Sequence, residues 1–204
     1  MSKIPQIKVV FLGDSGVGKT CMIHWFAHNK FNESSNPTLG AMFISKVAEF
    51  PEYGSSVKFQ VWDTAGQEKY RSLAAMYYQD AAAAILVYNI TNKESFNGIT
   101  YWMSELKAHA PESIKIAIAA NKSDLVEQEA VGLAEGKKFA EENNAIFKLT
   151  SAKDGTGINQ LFMSIPVAMG IFDTKSTAAP PKTEGPKGIT LDAKVENKEK
   201  DKCC

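Results

Sequence analysis

Residues 13–20 read GDSGVGKT, and they follow directly on an apolar run, IKVVFL, at residues 7–12. The stretch fits the pattern G-x-x-x-x-G-K-[S/T], which is typical of a loop that joins a strand to a helix and binds phosphate. We therefore predict a strand over residues 7–12 and a helix that begins near Gly18. The alternative interpretation is a glycine-rich turn with a solvated lysine, and context from the rest of the chain is needed to choose between them.

The residue types of this loop suit an anionic ligand. Glycines adopt positive φ angles and carry no Cβ, so that backbone N–H groups can point inward at a phosphate. The start of a helix adds the positive end of its dipole. Lys19 would reach the β- and γ-phosphates of a nucleotide, and the Thr20 hydroxyl would ligate Mg²⁺. The predicted nucleotide contacts of this segment are Ser15, Gly16, Val17, Gly18, Lys19, Thr20 and Cys21.

The composition is that of a soluble globular protein. The chain has 204 residues, of which 44% are hydrophobic and 23% charged, and its net charge is zero. A neutral chain gives no indication of a nucleic-acid partner. The three cysteines do not form a disulfide framework and suit a reducing compartment. The three histidines show no metal-ligand spacing with cysteines or acids, and we expect them on helix surfaces or in packed positions.

Apolar, strand-like runs alternate with helical patterns along residues 1–172, which predicts an α/β domain. The pattern predicts a six-stranded, mostly parallel sheet with helices on both faces. The second and third strands have no helix between them, so they should form an antiparallel hairpin at one edge. Residues 173–204 contain three prolines and many charged residues but no aromatic residue, and we predict a disordered tail there.

WDTAGQ, at residues 62–67, closes the third predicted strand. In parallel sheets of this kind ligands lie at the carboxyl ends of the strands. Asp63 would hold Mg²⁺ through water, the Gly66 N–H would contact a γ-phosphate, and Gln67 would orient the attacking water. A turn with a polar tip is the alternative.

NKSD, at residues 121–124, closes the fifth predicted strand. A carboxylate in the position of Asp124 can accept hydrogen bonds from the N1–H and the 2-amino group of guanine, and adenine has neither of these donors. Asn121 and the Lys122 stem would brace the loop and cover the base. A plain solvated loop is the alternative, because a four-residue motif is weak alone.

TSAK, at residues 150–153, closes the sixth predicted strand. The Ala152 N–H would meet guanine O6, with Ser151 and Lys153 beside it in the same loop. Phe31 lies twelve residues after Lys19 and is placed to stack on the base, although simple core packing also explains an aromatic residue there.

These motifs together resemble those of the Ras-like small GTPases, from residue 6 to about residue 172. Within that superfamily the chain is similar to the Rab family, because WDTAGQEKYRSLAAMYY at residues 62–78 and a terminal Cys-Cys are Rab features. PTLGAMF and SLAAMYY are most similar to the early-endosomal branch around Rab five. The resemblance implies the P-loop NTPase fold.

The resemblance also implies roles for further residues. Thr38 would ligate Mg²⁺ in the triphosphate state, and Gln67 and Lys19 would be the catalytic residues. Phe43, Trp62 and Tyr77 match the aromatic triad that Rab proteins present to effectors, although ordinary core burial also explains three aromatic residues.

Partners and location follow from the same resemblance. It implies a monomer that binds an exchange factor, a GTPase-activating protein, a GDP-dissociation inhibitor and effectors, but no nucleic acid. Cys203 and Cys204 would carry prenyl groups that anchor the tail to the cytoplasmic face of the early endosome, with cycling through the cytosol. An unmodified tail and another compartment remain alternatives.

The predicted function is therefore a GTP-binding, GTP-hydrolysing switch in vesicular traffic, with Mg²⁺ as cofactor and GTP or GDP as ligand. A P-loop ATP-dependent enzyme is a second hypothesis, against which NKSD and TSAK argue. A GTP-locked scaffold that does not hydrolyse is a third, against which Gln67 argues.

Overall fold

The computed structural model describes residues 4–32, 37–67 and 71–172, without the side chains of residues 71 and 72. The predicted tail with Cys203 and Cys204 lies outside the described residues. The strands are β1 (Gln6–Leu12), β2 (Ala41–Phe50), β3 (Ser55–Thr64), β4 (Ala83–Asn89), β5 (Lys115–Asn121) and β6 (Ile146–Leu149). The helices are α1 (Lys19–His28), α2 (Arg71–Tyr78), α3 (Lys93–His109), α4 (Leu133–Glu142) and α5 (Ile158–Ala168), with 3₁₀ turns at Pro51–Tyr53 and Ser123–Gln128.

The six strands form one sheet in the order β2-β3-β1-β4-β5-β6. The β2–β3 pair is antiparallel, with a register that runs from Ala41 opposite Thr64 to Phe50 opposite Ser55. The other pairs are parallel. This confirms the predicted fold class, including the antiparallel strand at one edge.

Both faces of the sheet are covered, which explains why the central strands are continuously apolar. In β1, Val9 and Phe11 point to one face and Val10 and Leu12 to the other, and all four are 0% exposed. Helices α1 and α5 cover the first face, where the rings of Phe26 and Phe162 stack with centroids 3.5 Å apart.

Helices α2, α3 and α4 cover the second face. Helix α2 was not predicted; it has eight residues, and its Ala74 and Tyr78 are buried one turn apart. None of the helices in the described part of the chain combines the length and apolar character that a membrane span needs.

The topology places the ends of four parallel strands along one edge of the sheet. The loop that follows β1 contains the first six residues of GDSGVGKT, and α1 begins with the last two. The loops that follow β3, β5 and β6 contain the end of WDTAGQ, the end of NKSD, and TSAK respectively. The predicted motifs therefore meet although more than 100 positions separate the first from the last.

Candidate nucleotide-binding site

A cavity of about 430 Å³ lies at this edge of the sheet. It is open to solvent on one side, and most of the residues predicted to bind a nucleotide line it. Its walls consist of Ser15, Gly16, Gly18, Lys19, Thr20, Cys21, Phe31, Pro37, Thr38, Thr64, Gly66, Asn121, Lys122, Asp124, Ala152 and Lys153.

The loop between β1 and α1 has the backbone that its glycines were expected to supply. Gly13 has a φ of 140°, and a Cβ on it would lie 2.3 Å from the carbonyl oxygen of Val87 in β4. Gly18 has a φ of 103°, and a Cβ there would lie 2.3 Å from Nδ2 of Asn121. Any side chain at these positions would collide with the neighbouring strands, so only glycine lets the loop fold back so closely.

The side chain of Lys19 is held inside this loop and is only 6% exposed. Its Nζ donates hydrogen bonds to the carbonyl oxygens of Gly13 and Asp14, at 2.7 and 2.8 Å. Burial lowers the pKa of Lys19 to about 8, while the negative charges of Asp63 and Asp14 act in the opposite direction. A bound phosphate would favour the charged form, since an anion close to a buried ammonium group compensates its desolvation.

Asp63, Thr20 and Thr38 converge at the other end of the cavity. Oδ2 of Asp63 accepts hydrogen bonds from the Thr20 hydroxyl at 2.7 Å and the Thr38 hydroxyl at 3.0 Å, and the two hydroxyl oxygens are 3.0 Å apart. Asp63 is 0% exposed, and burial raises the pKa of its carboxyl while the two threonines and Lys19 lower it.

Oδ1 of Asp63 is buried and has no hydrogen-bond partner among the described residues. An unpaired buried carboxylate oxygen is costly, and hard cations such as Mg²⁺ bind oxygen ligands of this kind. The donor set of one carboxylate and two hydroxyls therefore fits Mg²⁺, and the role of these three residues as its ligands stays a prediction.

Asn121, at the end of β5, ties three loops together and is 1% exposed. Its Nδ2 donates to the carbonyl oxygen of Val17 at 2.7 Å. Its Oδ1 accepts from the Ala152 N–H at 3.2 Å and from the Thr150 hydroxyl at 3.3 Å. The side chain has the bracing geometry expected of it. The Ala152 N–H is engaged by Asn121 in this structure, and its contact with guanine O6 stays a prediction.

Asp124 is held at the rim of the cavity by the TSAK loop. The Ser151 hydroxyl donates to Oδ1 of Asp124 at 2.7 Å and accepts from the Lys153 N–H at 3.2 Å. Asp124 itself is exposed, so its carboxylate loses water only when a base covers it. Phe31 both lines the cavity and packs against the core, so stacking and core packing are compatible.

Four of the residues predicted to act on the nucleotide, on Mg²⁺ or on the attacking water do not line the cavity. Val17 supplies its carbonyl to Asn121, Asp63 lies behind the two threonine hydroxyls, and Ser151 supports Asp124. Gln67 is half-buried in the loop after β3, where its predicted role as the residue that orients water stays a prediction.

Several site residues were missed by sequence reasoning. Thr64 lines the cavity, and its hydroxyl donates to the Phe11 carbonyl at 2.6 Å, which joins β3 to β1. Pro37 also lines the cavity, and Thr150 supports Asn121. Thr64 and Thr150 lie within WDTAGQ and TSAK, and Pro37 directly precedes Thr38. Their proximity in sequence to predicted site residues was the one indication that they belong to the site.

The three aromatic residues predicted to face effectors lie together. The ring centroids of Phe43 and Trp62, opposite each other in β2 and β3, are 5.2 Å apart, and those of Trp62 and Tyr77 are 5.0 Å apart. Phe43 is 49% exposed, whereas Trp62 and Tyr77 are half-buried against the core. The alternative of ordinary core burial does not describe Phe43.

Comparisons with known proteins agree with this geometry. Residues 8–170 match the Ras family. The chain is 42% identical over 199 residues to the mouse Ras-related protein Rab-22A, covering 98% of each chain. It is 44% identical over 160 residues to the human Ras-related protein Rab-22A, covering 78% of this chain and 81% of that one. The dog Ras-related protein Rab-22A is 42% identical over 186 residues, covering 91% of this chain and 92% of that one.

Proposed function

The chain belongs to the Ras family and, within it, to the Rab proteins, and from this premise we propose that it is a GTP-driven switch on endosomal membranes. It is a GTP-hydrolysing enzyme, as members of this family are. The observation that carries the proposal is that the loop of residues 13–20, the hydroxyl-bearing Thr20 and Thr38, and the loops that carry Asp124 and Ala152 all line one cavity. An ATP-dependent enzyme is not favoured.

The phosphate end of GTP would lie in the loop of residues 13–20. The loop's backbone N–H groups, the dipole of α1 and the Lys19 ammonium would provide positive charge where the γ-phosphoryl group becomes more negative during transfer. Because Lys19 is already held by the Gly13 and Asp14 carbonyls, little reorganisation is needed at the moment of reaction.

Thr20, Thr38 and Asp63 are the residues that would hold Mg²⁺. When bound, the ion neutralises charge on the β- and γ-phosphates. Asp63 would act through water, which suits its position behind the two hydroxyls. Thr38 lies shortly before β2, which begins at Ala41. Binding of its hydroxyl to the ion would therefore also fix the position of the chain that leads into β2.

Gln67 would orient the water that attacks the γ-phosphoryl group in line, and the Gly66 N–H would contact that group. A Cβ on Gly66 would lie 2.5 Å from Nζ of Lys19 and from the Asp14 carbonyl, so only glycine fits this close to the phosphate loop. GTP would order the loops at Thr38 and Gly66, and hydrolysis would release them. An activating protein completes such sites.

The surface of Phe43, Trp62 and Tyr77 would bind effectors in the GTP state. It adjoins both loops, since Ala41 and Thr64 pair at the start of the β2–β3 hairpin. Leu39, four residues before Phe43 along the chain, is also apolar and is 79% exposed. Effectors, an exchange factor, an activating protein and a GDP-dissociation inhibitor are the proposed partners of the monomer.

The G domain of residues 1–172 would be attached to the cytoplasmic face of early endosomes through the tail. Prenyl groups on Cys203 and Cys204 would supply the two lipid chains that stable anchoring needs. Extraction by the dissociation inhibitor would let the protein cycle through the cytosol.

The base-binding rim provides the sharpest test of the nucleotide assignment. Replacing Asp124 by asparagine removes the acceptor for the guanine N1–H and amino group, while an amide can donate to the 2-oxo group of xanthine. We expect the D124N variant to lose affinity for GDP by about 10- to 100-fold and to gain affinity for xanthosine diphosphate, as measured by fluorescence titration.

The E127Q variant is the matched control, because Glu127 is an exposed carboxylate in the same 3₁₀ turn. It should bind both nucleotides as the parent does. An unchanged preference for GDP in the D124N variant would refute the base assignment.

A further inference from the structure

Two histidines of α1 lie one helical turn apart on the same face. The ring centroids of His24 and His28 are 4.7 Å apart, with 51° between the ring planes. Residues at positions i and i+4 of a helix are neighbours on its surface, and paired histidines at this spacing are a known way to chelate a metal ion. His28 is exposed and His24 half-buried, so an ion can reach the pair from solvent.

The hydrogen bond of His24 fixes which ring nitrogen carries its proton. Nδ1 lies 2.8 Å from the carbonyl oxygen of Lys30. A carbonyl oxygen only accepts, so Nδ1 must donate, and in the neutral ring the lone pair is then on Nε2. Histidines that ligate metals almost always donate the other ring N–H to such an acceptor, which fixes the tautomer and the ring orientation.

We propose that His24 and His28 form a two-histidine site for a divalent transition-metal ion of the Zn²⁺ class, with water completing the coordination. Imidazole nitrogen suits Zn²⁺, Ni²⁺ and Cu²⁺, whereas Mg²⁺ prefers the oxygen ligands of the nucleotide site. Within residues 4–32, 37–67 and 71–172 no three histidine, cysteine, aspartate or glutamate side chains lie close enough together to hold a metal ion. The site therefore binds more weakly than a three-ligand zinc site.

The position of the histidine pair couples the bound ion to the nucleotide cavity. Lys30 directly precedes Phe31, which lines that cavity, and α1 begins with Lys19 and Thr20. An ion bound to His24 would fix the orientation of its ring. Because Nδ1–H of the same ring donates to the Lys30 carbonyl, the segment that carries Phe31 would be restrained as well. This coupling rests on the proposed function, whereas ion binding itself does not.

Isothermal titration with ZnCl₂ tests the site directly. The full-length chain would carry C203S and C204S, because thiols bind zinc, and would be loaded with GDP and excess Mg²⁺. We expect the H24Q and H28Q variants each to lower Zn²⁺ affinity at least about tenfold, and the H109Q variant, which changes another exposed helix histidine, to leave it unchanged. Equal Zn²⁺ binding by all four proteins, or loss with H109Q alone, would overturn the proposal.

Paramagnetic Ni²⁺ locates the ion independently. Its titration should broaden the ring signals of His24 and His28 before that of His109 in an NMR spectrum, and the reverse order would contradict the site. Zn²⁺ should also slow GDP release from the parent at least about twofold, but not from the H28Q variant. Zn²⁺ binding with an unchanged release rate would leave the metal site in place and refute only its coupling to the nucleotide.

Discussion

At the scale of single residues, the candidate site contains two buried charges whose environments oppose their ionised forms. Asp63 is 0% exposed and Lys19 is 6% exposed. Burial raises the pKa of the carboxyl and lowers the pKa of the ammonium group to about 8. Oδ1 of Asp63 has no partner within the described residues, and such an orphaned oxygen supports the proposal that a cation binds there.

The depressed pKa of Lys19 predicts a pH dependence of nucleotide binding. Below a pKa of about 8 the nucleotide-free protein already holds Lys19 charged, and above it a proton must be taken up when phosphate binds. GTP affinity should therefore be flat between pH 6.5 and 7.5 and fall above pH 8, approaching about tenfold per pH unit. Titration of the nucleotide-free protein at fixed Mg²⁺ measures this, below the pH at which guanine N1 ionises.

The K19R variant supplies the control for that pH series. A guanidinium group stays charged throughout this range, so its GTP affinity, although lower, should not change between pH 7 and pH 8.8. The same fall in both proteins would assign the pH dependence to another group.

At the scale of elements, the ends of β5 and β6 act on the phosphate loop through one side chain. Asn121 bonds to Val17, 104 positions away, and to the TSAK loop that follows β6. The NKSD motif predicted that Asn121 braces the loop. The partner atoms were not predictable, because they depend on how β1, β5 and β6 are placed side by side.

Removing the Asn121 side chain should accelerate nucleotide release strongly while lowering the stability of the fold only moderately. The N121A variant leaves the Val17 carbonyl and the Ala152 N–H without their partner, which costs about 1–3 kcal/mol in the free energy of unfolding. We expect GDP release to accelerate about 10- to 100-fold, since the phosphate loop and the base loop are no longer joined. Stopped-flow release of a fluorescent GDP analogue provides the rate.

The N143A variant separates the two effects. Asn143 follows α4, accepts a hydrogen bond from Lys107 and donates one to the Phe139 carbonyl. It lies before the start of β6, whereas the TSAK loop follows the end of that strand. Its loss should lower stability without changing GDP release. If N121A and N143A release GDP equally fast, Asn121 has no special role in retention.

Elements differed in how far the sequence predicted them. The β2–β3 hairpin was identified because no helical pattern separates its strands, which are joined by a 3₁₀ turn at Pro51–Tyr53. Helix α2 was missed, because eight residues give too short a pattern to distinguish a helix from a loop. The packing of Phe43 on Trp62 follows from the strand register, which composition does not reveal.

At the scale of the whole molecule, parallel topology is what turns separate motifs into one site. The expectation that they meet at the carboxyl ends rested on a general property of α/β sheets, and it was confirmed. The strand order β2-β3-β1-β4-β5-β6 was not predicted, since β1 lies between β3 and β4 and strand order is set by three-dimensional packing. The hydrogen bond from Nδ1 of His24 to the Lys30 carbonyl likewise depends on the path of the chain after α1, which the sequence does not reveal.

Attachment to membranes is predicted to depend on Cys203 and Cys204 in the tail. Two prenyl chains anchor stably, whereas one gives marginal, reversible binding. The full-length protein with an N-terminal fluorescent tag should therefore overlap with an endocytosed tracer within minutes. The C203S and C204S single variants should each show a larger cytosolic fraction, and the double variant should be diffuse. Steady residence on another organelle would refute the endosomal assignment but keep the switch. A diffuse signal for the parent as well as the double variant would refute the lipid anchor.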